Sequence, residues 1–510
     1  MTKMTTTSVR VSMEHSQSIA SKAAVCSVTD RFATALFRQV DGASLAWFRM
    51  AFGAIMFIYA LKTLVTGAVT QMYVLPRFHF QYFGFGWVHP LPGIGMYVVF
   101  VALGLLALLI MLGLMYRFAT IAFAITFTYI FLIDRTFYQN HYYLVCLLSW
   151  MLVLIPAART FSFDSLNSKS GASTVPGWAL WLVRFHIGLP YFMGGIAKID
   201  GDWLYGQPMR MMLSGKTWMP VIGPYVAEDW MVSLFVWGGL LFDLLVVPGL
   251  LWRRTRPLAF LVSVGFHLTN ATMFTIGIFP WLMIAATLVF FAPRWPRQVF
   301  PGRKVLTAEK TRVHWANLGN AKRTFALGFV VYICFHAIWP MRYLVMPGNP
   351  SWTERGHFFA WHMLLRGKKT GLRMFVVDQS GEPRIIDLRK HVAMIQMPKL
   401  GRDPENIRQM ASHLAAERER ELGHPVQVRA FALVSMNGRK PELMIDPKVD
   451  LGAQPATLSM PGWIMPVTEP LRRDHWDVPL LAWERVLGID SSEVMGFDSS
   501  TKANAVKKNL

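Results

Sequence analysis

Nine apolar runs, most of them long enough to cross a lipid hydrocarbon layer, fix the class of this chain before any motif is read. They lie at about 44–66, 94–116, 118–134, 141–158, 177–199, 230–252, 257–275, 277–293 and 323–345, against the roughly 20 apolar residues that a spanning helix needs. In hydrocarbon the backbone donors and acceptors must be satisfied within their own segment, so the runs predict α-helices. The run at 118–134 is short, and the two around Gly277 could form one broken helix. A hydrophobic share of 53% against 16% charged residues argues against a soluble globular chain.

The formal net charge is +21, yet Lys and Arg are dispersed between apolar segments and form no basic stripe interleaved with aromatics. That excludes a nucleic-acid groove. With nine spans, one set of loops holds Arg117, Arg159, Lys169, Arg253, Arg254, Arg256, and the dense group from Arg294 through Arg303, Lys304 and Lys310 to Arg323. The opposite set holds only Arg77, Arg135, Arg210 and Lys216. Because basic residues in short loops stay cytoplasmic, this predicts a cytoplasmic N-terminus and an extracytoplasmic chain from about residue 346. The Ser/Thr-rich first forty residues lack the apolar core and small-residue site of a cleaved signal peptide. Cys26, Cys146 and Cys334 offer neither a disulfide framework nor a CxxC spacing.

Past residue 346 the pattern changes. Residues 372–378 and 384–388 read as strands around Ser380-Gly381, and Asp403-Pro404 opens a helix that ends at Gly423. Residues 426–436 alternate and turn at Asn437-Gly438 into a second hairpin. The expected organisation is therefore a cytoplasmic segment at 1–43, an α-helical polytopic membrane domain of about nine transmembrane helices at 44–345, a small β-rich extracytoplasmic domain at 346–489, and a flexible tail at 490–510. No internal repeat stands out. The few cysteines and the lack of a usable glycosylation acceptor in the outside domain favour a bacterial inner membrane.

Ionisable groups inside spans cost on the order of 3 kcal/mol each on insertion scales, so each needs a reason. They are Arg184, His186, Lys198, Asp243, His267 and His336, with His141 at a helix mouth. Lys198 ends its run behind Gly194 and Gly195; it reads either as a lysine reaching for the interface beside Asp200 and Asp202 or as a desolvated general base. His141 is either an interfacial polar residue or, lying in the same leaflet as Lys198, part of one site. His267 and Asn270 share a helix face and could bridge helices or hold a ligand. Arg184 and Asp243 sit at similar depth by residue count, which predicts an ion pair between them. No nucleophile elbow, phosphate-binding glycine loop, HExxH or dinucleotide fingerprint occurs.

Several stretches resemble the vitamin K-dependent γ-glutamyl carboxylases: Gly194 to Trp203, Asn140-His141-Tyr142, Phe78 to Phe85, Phe266-His267, Ile276 to Phe279, Trp352-Thr353-Glu354, Val434 to Arg439 and Ile445 to Asp450. They follow one another in order from about residue 43 to 465 and cover both parts of the chain. The resemblance implies that Lys198 deprotonates vitamin K hydroquinone, or a related naphthoquinol. Reaction with O2 then gives a strong base that takes the γ-proton of a protein-bound glutamate, CO2 adds, and the quinone leaves as its epoxide. It further implies that Lys198 and His141 are catalytic and that Asn140, Tyr191, His267 and Phe279 form the cofactor pocket. The implied partners are a glutamate-containing protein or peptide and membrane lipid, with no nucleic acid, and no metal or biotin is implied. Ala197 stands where animal carboxylases have a second lysine, and the disulfide that ties their two parts together has no counterpart here. Epoxidation without carboxylation, a transporter, and a membrane scaffold are the competing readings; a transporter is at odds with the lack of repeated halves.

Overall fold

The computed structural model describes residues 28–166, 173–274, 276–299 and 312–497. Lys169, Arg303, Lys304, Lys310 and the end of the tail lie outside the described residues. Every one of the nine apolar runs is helical over most of its length. In chain order the helices are α1 (Ala43–Val65), α2 (Gly95–Leu112), α3 (Tyr116–Ile133), α4 (Asn140–Leu154), α5 (Gly177–Ala197), α6 (Asp229–Leu251), α7 (Arg256–Met273), α8 (Phe279–Thr287) and α9 (Asn320–Ile338). Five stretches are both long and apolar enough to cross a membrane: α1, α2, α3, α6, and α9 with its continuation to Val345. The expected nine spans thus exceed what length and composition support. Of the remaining four, α4 and α8 are short, while α5 and α7 have the length but not the apolar composition. The pair around Gly277 is two helices joined by a turn in which Gly277 has φ 59°, a left-handed conformation that favours glycine.

Two polar devices close the bundle. Arg49 of α1 was not singled out in the sequence, yet it is fully buried. Its guanidinium donates to Ile110 O and Met111 O at the end of α2, to Ala157 O, and to Phe161 O. A cation meeting the carbonyls at a helix C-terminus is favoured by the helix dipole as well as by the hydrogen bonds it makes. Strand β1 (Gln39–Asp41) pairs antiparallel with β2 (Thr174–Pro176), joining the start of α1 to the start of α5.

After α9 the chain forms a four-stranded antiparallel sheet in the order β4-β3-β5-β6, made of β3 (Lys368–Val377), β4 (Pro383–Ile385), β5 (Gln427–Met436) and β6 (Glu442–Leu443). Helix α10 (Pro404–Leu422) lies on one face, N-capped by Asp403 and ended by Gly423 at φ 77°. Its buried Ile407, Met410 and Leu414 share an apolar core with Val428, Ala430 and Val434 of β5. The other face of the sheet is covered by Trp483 and Met495. The flexible tail expected from residue 490 therefore begins too early: Ser491–Val494 is helical, Met495 is buried, and Phe497 packs on Phe375. A short apolar anchor on an exposed sheet face is enough to order a segment that lacks periodicity.

A polar seam joins the sheet to the helices. Arg135 pairs with Asp403 at 2.8 Å, Gln396 donates to Asp134 at 2.7 Å, and Gln81 and Gln409 exchange two hydrogen bonds. Arg439 makes a bidentate pair with Asp202 at 2.6 and 2.8 Å, and Asn437 donates to the same carboxylate.

Candidate active site

Lys198, His141, Asn140, Tyr191, His267 and Phe279 all line one cavity of about 290 Å³. Its floor comes from the ends of α4, α5 and α7 with the middle of α6, and its roof from residues 357–366 and 399–402.

Lys198 follows α5 as its C-cap and is only 4% exposed, so it does not reach for an interface. Its Nζ donates to Asp243 Oδ2 of α6 and lies 5.2 Å from the centre of the Trp203 ring. The glycines ahead of it account for this approach. A β-carbon on Gly195 would sit 2.7 Å from the Leu244 side chain, and one on Gly194 would sit 3.3 Å from Asp243 Oδ2. Only residues without a side chain let α5 and α6 come this close.

The expected Arg184–Asp243 pair is not formed. Asp243 belongs to Lys198, while Arg184 donates to Val289 O at 2.9 Å and Phe291 O at 3.2 Å. Counting depth from span ends failed because α6 begins beyond the end of α5. Asp243 lies about 21 Å along α6 from its start at 1.5 Å per residue, and that is the level at which α5 ends.

Tyr191 OH and His267 Nε2 hydrogen bond at 2.6 Å, which fixes the ring and leaves His267 Nδ1 buried with no partner among the protein atoms. His141 Nε2 is likewise buried and unpartnered. Buried polar atoms are almost always satisfied. Two orphaned imidazole nitrogens on the wall of one cavity, beside the Phe279 ring at 6.1 Å from the His141 ring and 5.8 Å from that of His267, fit a planar ligand with polar edges. Asn140 is spent differently. Its Nδ2 donates to His362 O at 2.8 Å and its Oδ1 accepts from Tyr138 OH, so it holds the roof to the floor.

The roof was not foreseen. Between Glu354 and Leu364 four residues other than glycine, Glu354, Phe359, Trp361 and Leu364, have φ of 58–60°. That backbone is sparsely populated for such residues and persists only where the surroundings impose it. Glu354 accepts from Arg366 Nε at 2.6 Å and Lys368 Nζ at 2.8 Å. Burial alone would raise the Glu354 carboxyl, but these two cations hold it well below the usual carboxylate range. Arg366 also donates to His357 Nε2, so His357 must carry its proton on Nδ1 and donate to His362 Nδ1 at 3.3 Å. That leaves the His362 Nε2–H as a buried donor without a partner. Burial, reinforced by Arg366, pushes His357 well below the ordinary imidazole value, and burial pushes His362 down to about 3. Lys399 is pushed down to about 8 by burial and by Arg402 and Arg366. The roof is thus electropositive through Arg366, Arg402 and Lys399, with two neutral imidazoles among them. The density of His, Glu and Arg just after the last apolar run was the signal available in the sequence.

A helical bundle with a buried lysine–carboxylate pair, roofed by a small sheet-containing unit, defines a class of membrane protein. The model of the HTTM domain matches residues 37–295, more than half of the chain, and that of the vitamin K-dependent gamma-carboxylase lumenal domain matches residues 321–470. The chain belongs to the vitamin K-dependent gamma-glutamyl carboxylase family. No solved structure gives a significant match.

Proposed function

We propose that this protein uses vitamin K hydroquinone, or a related naphthoquinol, to carboxylate protein-bound glutamate to γ-carboxyglutamate with coupled epoxidation. The observation that carries the reading is the convergence of Lys198, Asp243, His141 and His267 on one cavity. Bound there, the hydroquinone and O2 would supply the strong base that removes the γ-proton, and CO2 would take up the carbanion. The protein's own tasks are narrower. Lys198, once neutral, accepts the hydroquinone proton at Nζ, and Asp243 aims that amine and can share the proton. His141 Nε2 and His267 Nδ1 are free to hydrogen bond the two edges of a planar ring system. The apolar walls exclude water, which would otherwise quench a strong base. Arg366, Lys399 and Arg402 give the roof the charge to receive a carboxylate-bearing peptide.

In this reading the nine helices lie in a bacterial inner membrane, with the N-terminus cytoplasmic and residues 346–489 forming a domain on the other side. The lipid-soluble ring would enter between helices and the peptide from the roof. The reading is tested with Lys198→Arg, which keeps the charge but cannot be deprotonated. Hydroquinone-dependent epoxide formation and incorporation of labelled CO2 into a glutamate peptide should both fall at least a hundredfold, with expression unchanged. Activity within about threefold of the parent, under ~1 kcal/mol of barrier, overturns the assignment.

A further inference from the structure

A second constellation lies outside the cavity, against the turn that carries the seam. His413 and Glu417 are one helical turn apart on α10, so both side chains leave the same face. His391, in the turn after Leu388–Lys390, meets them from the side. One ligating atom from each of the three lies within 4.8 Å of the other two. His391 Nδ1 is 3.3 Å from Glu417 Oε2, an oxygen that is buried yet accepts no hydrogen bond. His391 itself is buried, and the three residues come from two separate segments of the fold.

We propose that His391, His413 and Glu417 form a binding site for a divalent transition ion of the zinc class. Two imidazoles and one carboxylate are the donor set that zinc takes readily. In a tetrahedral site with bonds of about 2.0–2.1 Å the donors stand roughly 3.4 Å apart, so side-chain rotation suffices to close the group. A fourth position is left to water. The site is structural in its placement. None of the three lines the cavity of Lys198, but the two histidines are tied to the seam: the His413 ring lies 4.6 Å from that of Phe78, and the His391 turn runs on to Gln396, which donates to Phe78 O and Asp134. A bound ion would rivet α10 to this turn and so hold the sheet against the helical bundle. No CxxC or HExxH spacing announces such a site, and the sequence reading expected no metal; the three residues come together only through the fold.

The test uses the full chain purified in detergent, stripped with a chelator and titrated with Zn2+ against a chromophoric competitor. The parent should hold one tight zinc more than His413→Ala or Glu417→Gln, and zinc should raise the Tm of the parent but not of the variants. His424→Ala, at a half-buried histidine outside the group, serves as control and should match the parent. Equal zinc stoichiometry in parent and variants, or no zinc-dependent Tm in the parent, overturns the proposal and leaves an ordinary His391–Glu417 ion pair. Should His413→Ala fail to fold, Glu417→Gln, which keeps size and polarity, decides the matter alone.

Discussion

Lys198 and Asp243 are each 4% exposed or less, so neither charge has water to fall back on. Removing one partner of such a pair typically costs about 3–5 kcal/mol, because the other charge is left buried and alone, whereas replacing both by apolar groups can be neutral. Asp243→Asn is therefore expected to lower the Tm and to reduce epoxide formation at least tenfold although Lys198 is intact. The double change Lys198→Met with Asp243→Leu should recover Tm without recovering activity. A single Asp243→Asn with parental Tm and parental turnover would show that the carboxylate neither supports nor aims the amine. The lysine drew notice in the sequence as a charge at the end of an apolar run behind two glycines, but its position alone fitted a lysine reaching for the interface as well as a base, and only the family resemblance chose between them. Its partner was assigned to Arg184, since residue counts give depth only when neighbouring helices begin at the same level, and α5 and α6 do not. Arg49 escaped attention for a related reason: its partners are backbone carbonyls, at the end of α2 and in the segment after α4, which no side-chain pattern announces.

At the level of elements, long apolar runs specify helices by themselves, and the Asp403–Gly423 caps and the Asn437-Gly438 turn specify the sheet-side elements. Residues 354–366 have no such autonomy. Their left-handed backbone is imposed by two cores that lie far apart in sequence, so periodicity was silent about them. Their chemistry does set a pH dependence. His357 and His362 titrate below the ordinary imidazole value of about 6.5 when folded, so below that pH the unfolded chain binds more protons and stability is lost as pH falls. Glu354, held low, adds stability above the ordinary carboxylate range that is likewise lost on acidification. Lys399, at about 8, titrates outside this window. Melting followed from pH 7.5 to pH 5 should fall by on the order of a few degrees, and less in His357→Gln. A flat profile would mean that the histidines are solvated.

For the whole molecule, the proposed orientation places the exposed turn at Ser380 outside the cytoplasm, at the tip between β3 and β4. Ser380→Cys should react with a membrane-impermeant thiol reagent once the outer envelope is breached and the inner membrane left sealed; labelling only after lysis reverses the topology. The seam combines ion pairs and amide hydrogen bonds with apolar contacts, Phe80 in the core of the sheet, Trp361 in that of the bundle and Leu365 beside Trp203, while α9 and a few residues after it form the covalent bridge from the bundle to the sheet. A short connection of this kind gives its ends an effective concentration on the order of millimolar. Any contact of the seam that opens is then re-formed at that concentration, so the roof stays over the cavity without the affinity that two separate chains would need.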